Sequence, residues 1–250
     1  MRDMIKRNED LFRVLAAFVA AQACTLLLFF LLSGISEGFV FNIVLNIIGT
    51  LGVNMSCYLL ICDGIRLPKR SGDYSRLEPF AFFFMTVFLA CMAGMIAKFI
   101  PSGDGSGSVS PDGWEYLLYF AYSVILAPVA EEIAFRGAAL SALSHRGENT
   151  AALISALLFA AYHMNLSQVP YTLVLGFFLA VLARRSGSII PCILIHVANN
   201  LLTLVVGFSD VLSTVVNIAL PVLGIAGLVW LILTGRLFGA KKTTDEQVIP

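Results

Sequence analysis

The stretch from Pro128 to Leu140, P-V-A-E-E-I-A-F-R-G-A-A-L, places two adjacent glutamates and one arginine inside an apolar segment that runs from Tyr116 to Leu143. Ionised side chains inside a bilayer are costly unless they are paired or reached by water, so they are rarely incidental. Glu132 and Arg136 lie four residues apart, on one face of a helix, and this spacing predicts an intrahelical ion pair. The stretch therefore predicts a buried polar site within a membrane-spanning helix.

The composition around this stretch is that of a membrane protein. The 250 residues are 58% hydrophobic and 13% charged, with a mean hydropathy of +0.88, whereas soluble domains are roughly 45–50% apolar and about 25% charged. Apolar segments occur at 11–33, 41–62, 78–100, 115–143, 150–164, 168–184, 188–208 and 211–235. Since a transmembrane helix needs about 20 apolar residues, we predict an all-α fold. It is a polytopic bundle of about eight spans, forming one integral membrane domain over residues 1–250.

Basic residues are distributed unevenly among the predicted loops. Lys and Arg occur in the first tail, in the loops after the second, fourth and sixth segments, and in the last tail, whereas 34–40, 101–114, 165–167 and 209–210 have none. This positive-inside pattern predicts an integral membrane protein with both termini in the cytoplasm. The net charge of zero gives no indication of a nucleic-acid partner, and the five scattered cysteines predict core residues rather than a disulfide framework. The oligomeric state is not specified by the sequence.

Two further polar groups interrupt later apolar segments. His163 closes F-A-A-Y-H at 159–163, and His196 and Asn200 bound H-V-A-N-N. Counting about 1.5 Å per residue from predicted cytoplasmic ends near residues 143, 150 and 187 places Glu131 roughly 18 Å deep, His163 and Asn200 roughly 20 Å deep, and His196 roughly 14 Å deep. In a hydrocarbon core about 30 Å thick, these depths are compatible with one site, whereas lateral proximity is not determined by the sequence.

A glutamate, two histidines and an asparagine are the parts of a water-activating hydrolase. A glutamate acts as a general base on water with help from a histidine, and a second histidine and an amide donate to the oxyanion of a scissile carbonyl. Glu131, His163 and His196 also have the composition of a catalytic zinc site with three protein ligands. The sequence does not decide between a bound zinc and no metal. In either case Glu132 and Arg136 would support Glu131.

The patterns E-E-x-x-x-R at 131–136, F-x-x-x-H at 159–163 and H-x-x-x-N at 196–200 resemble the three signature motifs of the CAAX protease and bacteriocin-processing (CPBP or Abi) family of intramembrane proteases. The resemblance covers residues 115–208. It implies that Glu131 and His163 activate water and that His196 and Asn200 form the oxyanion site. We assign Phe159 to packing beneath the catalytic pair.

The same resemblance implies a substrate and a location. Eukaryotic members remove the last three residues of prenylated CAAX proteins, so the expected substrate is a lipidated, CAAX-like or hydrophobic peptide. This short chain resembles the bacterial members more closely, which implies a bacterial plasma membrane. Some members are described as metalloproteases and others as metal-free glutamate proteases, so the resemblance also leaves the metal open.

Two other functions use the same residue types. A proton-coupled transporter needs buried carboxylates and histidines, but they should be spread along a path across the membrane. Here they are concentrated in the second half of the chain. A non-catalytic membrane scaffold would bind a partner through the same buried site without hydrolysis.

Overall fold

The computed structural model describes residues 2–36, 38–65, 73–97, 99–100, 113–206 and 209–237. These residues contain no strand and form a helical bundle, so the predicted all-α fold is confirmed. The helices are α1 (Arg2–Leu32), α2 (Phe39–Ile61), α3 (Glu78–Ala97), α4 (Trp114–His145), α5 (Glu148–Tyr162), α6 (Val169–Ser186), α7 (Ile190–Val206) and α8 (Asp210–Leu233).

Each predicted apolar segment corresponds to one of these helices, but the helices differ in length. Within the described ranges, six of them (α1 to α4, α6 and α8) are long and apolar enough to cross a membrane. Helix α7 is apolar and has 17 residues, and α5 has 15. At about 1.5 Å per residue, α5 is about 22 Å long, which is shorter than a hydrocarbon core of about 30 Å.

The outer helices α1 and α8 present large apolar side chains on the surface of the bundle. Phe30 and Leu233, for example, are both 81% exposed. A contiguous apolar surface of this kind marks contact with a membrane or a partner, and here it agrees with the hydropathy of the helices. The loop residues 66–72, 98, 101–112 and 238–250, which carry several of the basic residues, lie outside the described part of the chain. The predicted orientation therefore stays a prediction.

Ion pairs identify which helix termini share one end of the bundle. Arg13 of α1 pairs with Asp63, which follows α2. Arg185 in the last turn of α6 pairs at 2.6 Å with Glu78, the first residue of α3, and Arg236 after α8 reaches the same carboxylate at 2.6 Å. We call this the N-terminal end; at the opposite end, α4 and α6 begin and α5 and α7 finish.

Helices α2 and α4 are not uniform α-helices. Ala121–Leu126 and Ile133–Ala139 of α4 are π-helical, as is Ile48–Met55 of α2. Turns of this kind are rare and occur frequently at functional sites. The α-helical segment Ala127–Glu132 lies between the two π-helical segments of α4. The first motif, E-E-x-x-x-R at 131–136, therefore begins in α-helical geometry and ends in π-helical geometry.

Glycines allow two helix pairs to approach closely. A Cβ atom on Gly176 of α6 would lie 2.9 Å from Cδ1 of Phe159 and 3.2 Å from Cα of Ala156, both on α5. A Cβ atom on Gly227 of α8 would lie 2.7 Å from the carbonyl oxygen of Ala81 on α3. Small residues at such contacts are the usual means by which membrane helices pack tightly. The α5–α6 contact fixes the position of the second motif.

Candidate active site

Glu132 and Arg136 form a fully buried ion pair, which confirms the predicted i,i+4 contact. Arg136 Nη1 donates to Glu132 Oε1 at 2.9 Å, and both side chains are 0% exposed. The guanidinium also donates from Nη2 to the Gly176 carbonyl oxygen at 3.0 Å, and its Cζ atom lies 4.4 Å from the centre of the Phe159 ring. The ion pair of the first motif is therefore joined to α6 and to the second motif.

His196 lies between the two adjacent glutamates. Its Nδ1 atom is 2.9 Å from Glu132 Oε1, and because a carboxylate oxygen accepts, the imidazole donates here. Its Nε2 atom is 3.8 Å from Glu131 Oε2. All three side chains are buried. The first and third motifs, 64 residues apart along the chain, are thus brought into direct contact.

His163 at the end of α5 is held by its own helix. Its Nδ1 atom lies 2.9 Å from the Phe159 carbonyl oxygen, and because a carbonyl only accepts, Nδ1 carries the proton and Nε2 of the neutral ring is an acceptor. Phe159 packs edge-to-face against both histidines, with ring centroids 4.9 Å from His163 and 5.7 Å from His196. The second motif therefore orients one histidine and supports the other.

The amide of Asn200 has a fixed orientation. Its Nδ2 atom donates to the Ser123 carbonyl oxygen at 2.9 Å, and its Oδ1 atom accepts from Asn199 Nδ2 at 3.1 Å. Asn199, which is buried, also donates to the Tyr171 hydroxyl. These contacts set which side of the Asn200 amide presents nitrogen, so Asn199 is a positioning residue for it.

A cavity of about 710 Å³ opens beside these residues at the opposite end of the bundle. His163 and Asn200 form part of its wall. Most of the other lining side chains carry a hydroxyl or an amide group, and these are Tyr119, Ser123, Ser167, Gln168, Tyr171, Thr172 and Thr203. His196 precedes Asn200 by one helical turn, about 5.4 Å further into the bundle. The Glu131–His196 contact therefore lies deeper than the cavity wall.

One residue of α2 also belongs to this site, although the sequence analysis did not identify it. Thr50 is buried, and its hydroxyl lies 3.0 Å from the Tyr122 hydroxyl and 3.2 Å from the Tyr162 hydroxyl. The segment Ile48–Met55, which carries Thr50, packs against the segment Ala127–Glu132, which carries Glu131. Thr50 lies outside the region 115–208. Its signal in the sequence is a row of polar residues spaced by four, Thr50, Asn54 and Tyr58.

The proposed zinc ligands do not converge in this structure. Among the described residues, no group of three or more His, Cys, Asp or Glu side chains is close enough to hold a metal ion. His163 and His196 each donate a hydrogen bond from Nδ1 to an oxygen of the protein. Metal-binding histidines are commonly oriented by such a bond from the nitrogen that does not bind the metal. The donor types therefore suit zinc but their placement does not, and we route no catalytic step through a metal.

Comparison with known proteins gives one match. Residues 113–202 match the family model described as Type II CAAX prenyl endopeptidase Rce1-like. This range contains all three motifs and agrees with the predicted family resemblance. No curated protein and no solved structure matches the chain. Together with the apolar helices, the match identifies an integral membrane protein.

Proposed function

We propose, from the match of residues 113–202 to the Rce1-like family model, that the chain is an intramembrane endopeptidase in which Glu131 activates water. The observation that carries the proposal is the contact of His196 with both Glu131 and Glu132 inside the bundle. A carboxylate beside a polarised imidazole, at the inner side of a polar cavity, is an arrangement that supports general-base hydrolysis.

The charges of the buried cluster support a distinct role for His196. Glu131 and Glu132 contribute two negative charges, and Arg136 contributes one positive charge. If His196 is an imidazolium, the cluster is neutral, which is the favoured condition for ionised groups in a low-dielectric interior. The ring then donates from Nδ1 to Glu132 and from Nε2 toward the region beside Glu131. We assign this Nε2–H to the oxyanion that forms on the scissile carbonyl.

His163 has a different hydrogen-bond partner and therefore a different role. Its Nδ1–H donates to the Phe159 carbonyl oxygen, so Nε2 of the neutral ring offers a lone pair. We assign this atom to holding the attacking water together with Glu131. The second N–H of the Asn200 amide is the other oxyanion donor.

The reaction consumes one water for each peptide bond. The water oxygen bonds to the carbonyl carbon while one of its protons passes to the Glu131 carboxylate. The oxyanion is stabilised by His196 and Asn200. When the C–N bond breaks, Glu131 returns the proton to the leaving amine nitrogen. No cofactor is required by this sequence of steps.

The cavity supports a short peptide end as the substrate. Its volume of about 710 Å³ falls within the roughly 300–1,000 Å³ of sites that enclose small ligands. Hydroxyl and amide groups on its wall suit the peptide backbone, and the surrounding bilayer suits an attached lipid or an apolar side chain. We therefore propose a CAAX-like lipidated peptide, or a hydrophobic peptide, as the substrate class.

Transport and scaffolding are the alternative functions. In the described residues, the buried Asp, Glu, Arg and His side chains form two separate clusters, Glu131, Glu132, Arg136 and His196 in one and Glu78 and Arg185 in the other. A relay of titratable groups across the membrane, which a proton-coupled transporter requires, has no support in this distribution. A scaffold would retain substrate binding but not cleavage.

The direct experiment offers the purified protein, in lipid vesicles, a prenylated peptide that ends in a CAAX sequence. The same peptide without the prenyl group is the matched control. Mass spectrometry of the products should find a released carboxyl-terminal tripeptide from the prenylated peptide. Cleavage of both peptides at equal rates would instead favour the hydrophobic-peptide substrate. Intact peptides after prolonged incubation would contradict the proposed activity.

A further inference from the structure

Helix α2 carries a row of buried polar side chains that the proposed catalytic steps do not use. Thr50, Asn54 and Tyr58 are spaced by four residues and are 3%, 1% and 0% exposed. They lie on the side of α2 that packs against α4, since Thr50 bonds to Tyr122 and the Tyr58 ring is 5.1 Å from the Phe135 ring. Polar residues are expected to be rare on a helix face that is sealed from lipid and water unless they have partners.

Several polar atoms along this row have no hydrogen-bond partner among the described residues. On α2 they are Nδ2 and Oδ1 of Asn54 and the hydroxyl of Tyr58; on α4, Oε2 of Glu132 and Nε of Arg136 also have none. An unsatisfied buried polar group costs about 1–3 kcal/mol, and buried water is the usual partner of such groups. Three unsatisfied atoms on adjacent turns of α2, with two more on α4, favour bound water over five separate defects.

The row connects two places in the molecule. At its inner end, the Thr50 hydroxyl contacts the Tyr122 and Tyr162 hydroxyls, and its helical turn packs against the segment Ala127–Glu132, which carries Glu131. At its outer end, Tyr58 lies one helical turn before Cys62, whose backbone N–H donates to the Tyr58 carbonyl oxygen at 3.0 Å.

Cys62 lines a small surface cavity of about 40 Å³ at the N-terminal end of the bundle. Arg13 and Asp63 line the same cavity. Burial, reinforced by the Asp63 carboxylate, raises the pKa of Cys62 to about 11. The thiol therefore stays neutral and adds a weak hydrogen-bonding group at the mouth of the row.

We propose that Thr50, Asn54 and Tyr58 form a hydrated path that brings water from the N-terminal end of the bundle to Glu131. The peptide cavity opens at the opposite end, so a substrate that fills it would block that side. A separate path lets water reach the carboxylate while the peptide is bound. The π-helical turn Ile48–Met55 contains both Thr50 and Asn54, and turns of this kind are frequent at functional sites. The delivery role rests on the proposed function; the hydration itself does not.

Hydroxyl-radical footprinting by X-ray radiolysis tests the hydration without any substrate. The radicals are generated from water, so a buried side chain is oxidised when water is bound beside it. In the wild-type protein, Tyr58 should be oxidised several-fold faster than Phe82, which is equally buried but lies on α3. Equal protection of Tyr58 and Phe82 would overturn the proposal.

Two variants of α2 extend the test. Asn54→Leu should reduce oxidation of Tyr58 to the level of Phe82, whereas Asn46→Leu, whose amide bonds to the Asn42 carbonyl oxygen, should leave it unchanged. Unchanged oxidation in Asn54→Leu would exclude Asn54 from the path.

In the peptide assay, Asn54→Leu should lower kcat more than it changes KM, because the cavity wall is intact. Loss of Tyr58 oxidation with normal kcat would overturn the delivery role while leaving the protease proposal untouched.

Discussion

His196 and Glu132 are joined by a hydrogen bond of 2.9 Å, and its acceptor is the same Oε1 atom that pairs with Arg136. One buried carboxylate oxygen therefore connects the first motif to the third. The arrangement orients the imidazole so that its other nitrogen faces Glu131 at 3.8 Å. Glu132 thus has two separable effects, one on the stability of the bundle and one on the orientation of His196.

Substitutions at Glu132 and Arg136 separate these effects. Glu132→Leu alone leaves the guanidinium unpaired in the interior and should cost about 3–5 kcal/mol in unfolding free energy. The double variant Glu132→Leu/Arg136→Leu removes both charges and should recover most of that stability, because a buried ion pair contributes little over apolar residues of similar size. Peptide cleavage should stay lost in the double variant, since His196 has no acceptor at Nδ1.

Thermal unfolding in detergent measures the stability of these variants. The interpretation fails if the double variant cleaves the peptide at the wild-type rate, because orientation of His196 by Glu132 would then be unnecessary. It also fails if both variants are equally unstable, since the cost would not come from the unpaired charge.

The helical bundle and the similar depths of the three motifs were predictable from the sequence. Charged side chains and histidines in apolar segments are costly unless they are paired, which favours one shared buried site. The rise per residue of a helix gives the depth of each side chain in the membrane. The lateral contacts were not predictable, because contacting residues such as Thr50 and Tyr122 are on different helices, 72 residues apart, and outside any local spacing rule. The π-helical turns in α2 and α4 were also missed, since no residue spacing in those segments specifies a wider turn.

The second buried ion pair shows the same limit. Arg185 was assigned to a basic loop after the sixth segment, but it lies in the last turn of α6, is 2% exposed and pairs with Glu78, 107 residues away. A basic residue at a helix end gives no information on its partner when that partner is distant in sequence. Contacts across the bundle decided its burial.

Gly176 is predicted to be intolerant of a side chain. Gly176→Ala places Cβ 2.9 Å from the Phe159 ring and 3.2 Å from the Ala156 backbone, and overpacking of this kind typically costs about 1–3 kcal/mol. Because Phe159 packs on both histidines, peptide cleavage should fall as well. Gly52→Ala is the matched control, since its nearest neighbour would be at an ordinary 3.6 Å. Equal unfolding temperatures for the two variants would contradict the close α5–α6 contact.

The predicted orientation is testable with single cysteines at the two ends. Gln168 lies at the cavity and Ser144 at the N-terminal end, and both are exposed. If the termini are cytoplasmic, a membrane-impermeant maleimide should label Gln168→Cys in intact cells and label Ser144→Cys only after lysis, relative to the wild-type background. The reverse pattern would place the cavity on the cytoplasmic side and contradict the positive-inside assignment.

Metal content separates the two mechanisms that the sequence left open. Because the structure brings no three suitable ligands together among the described residues, we expect elemental analysis of the purified protein to find no stoichiometric zinc. The His163→Ala variant should give the same result. About one zinc per chain in the wild type, lost in His163→Ala, would instead establish a three-ligand site and make Glu131 a ligand.

The central claim is tested most directly by peptide cleavage and peptide binding in the Glu131→Gln variant. The substitution preserves shape but removes the proton acceptor, so kcat should fall by about 10²–10⁴, the usual contribution of a general base. Peptide binding and the unfolding temperature should stay close to wild type, and Glu148→Gln, at an exposed glutamate of α5, should cleave normally. Near wild-type cleavage by Glu131→Gln would show that this carboxylate does not activate water.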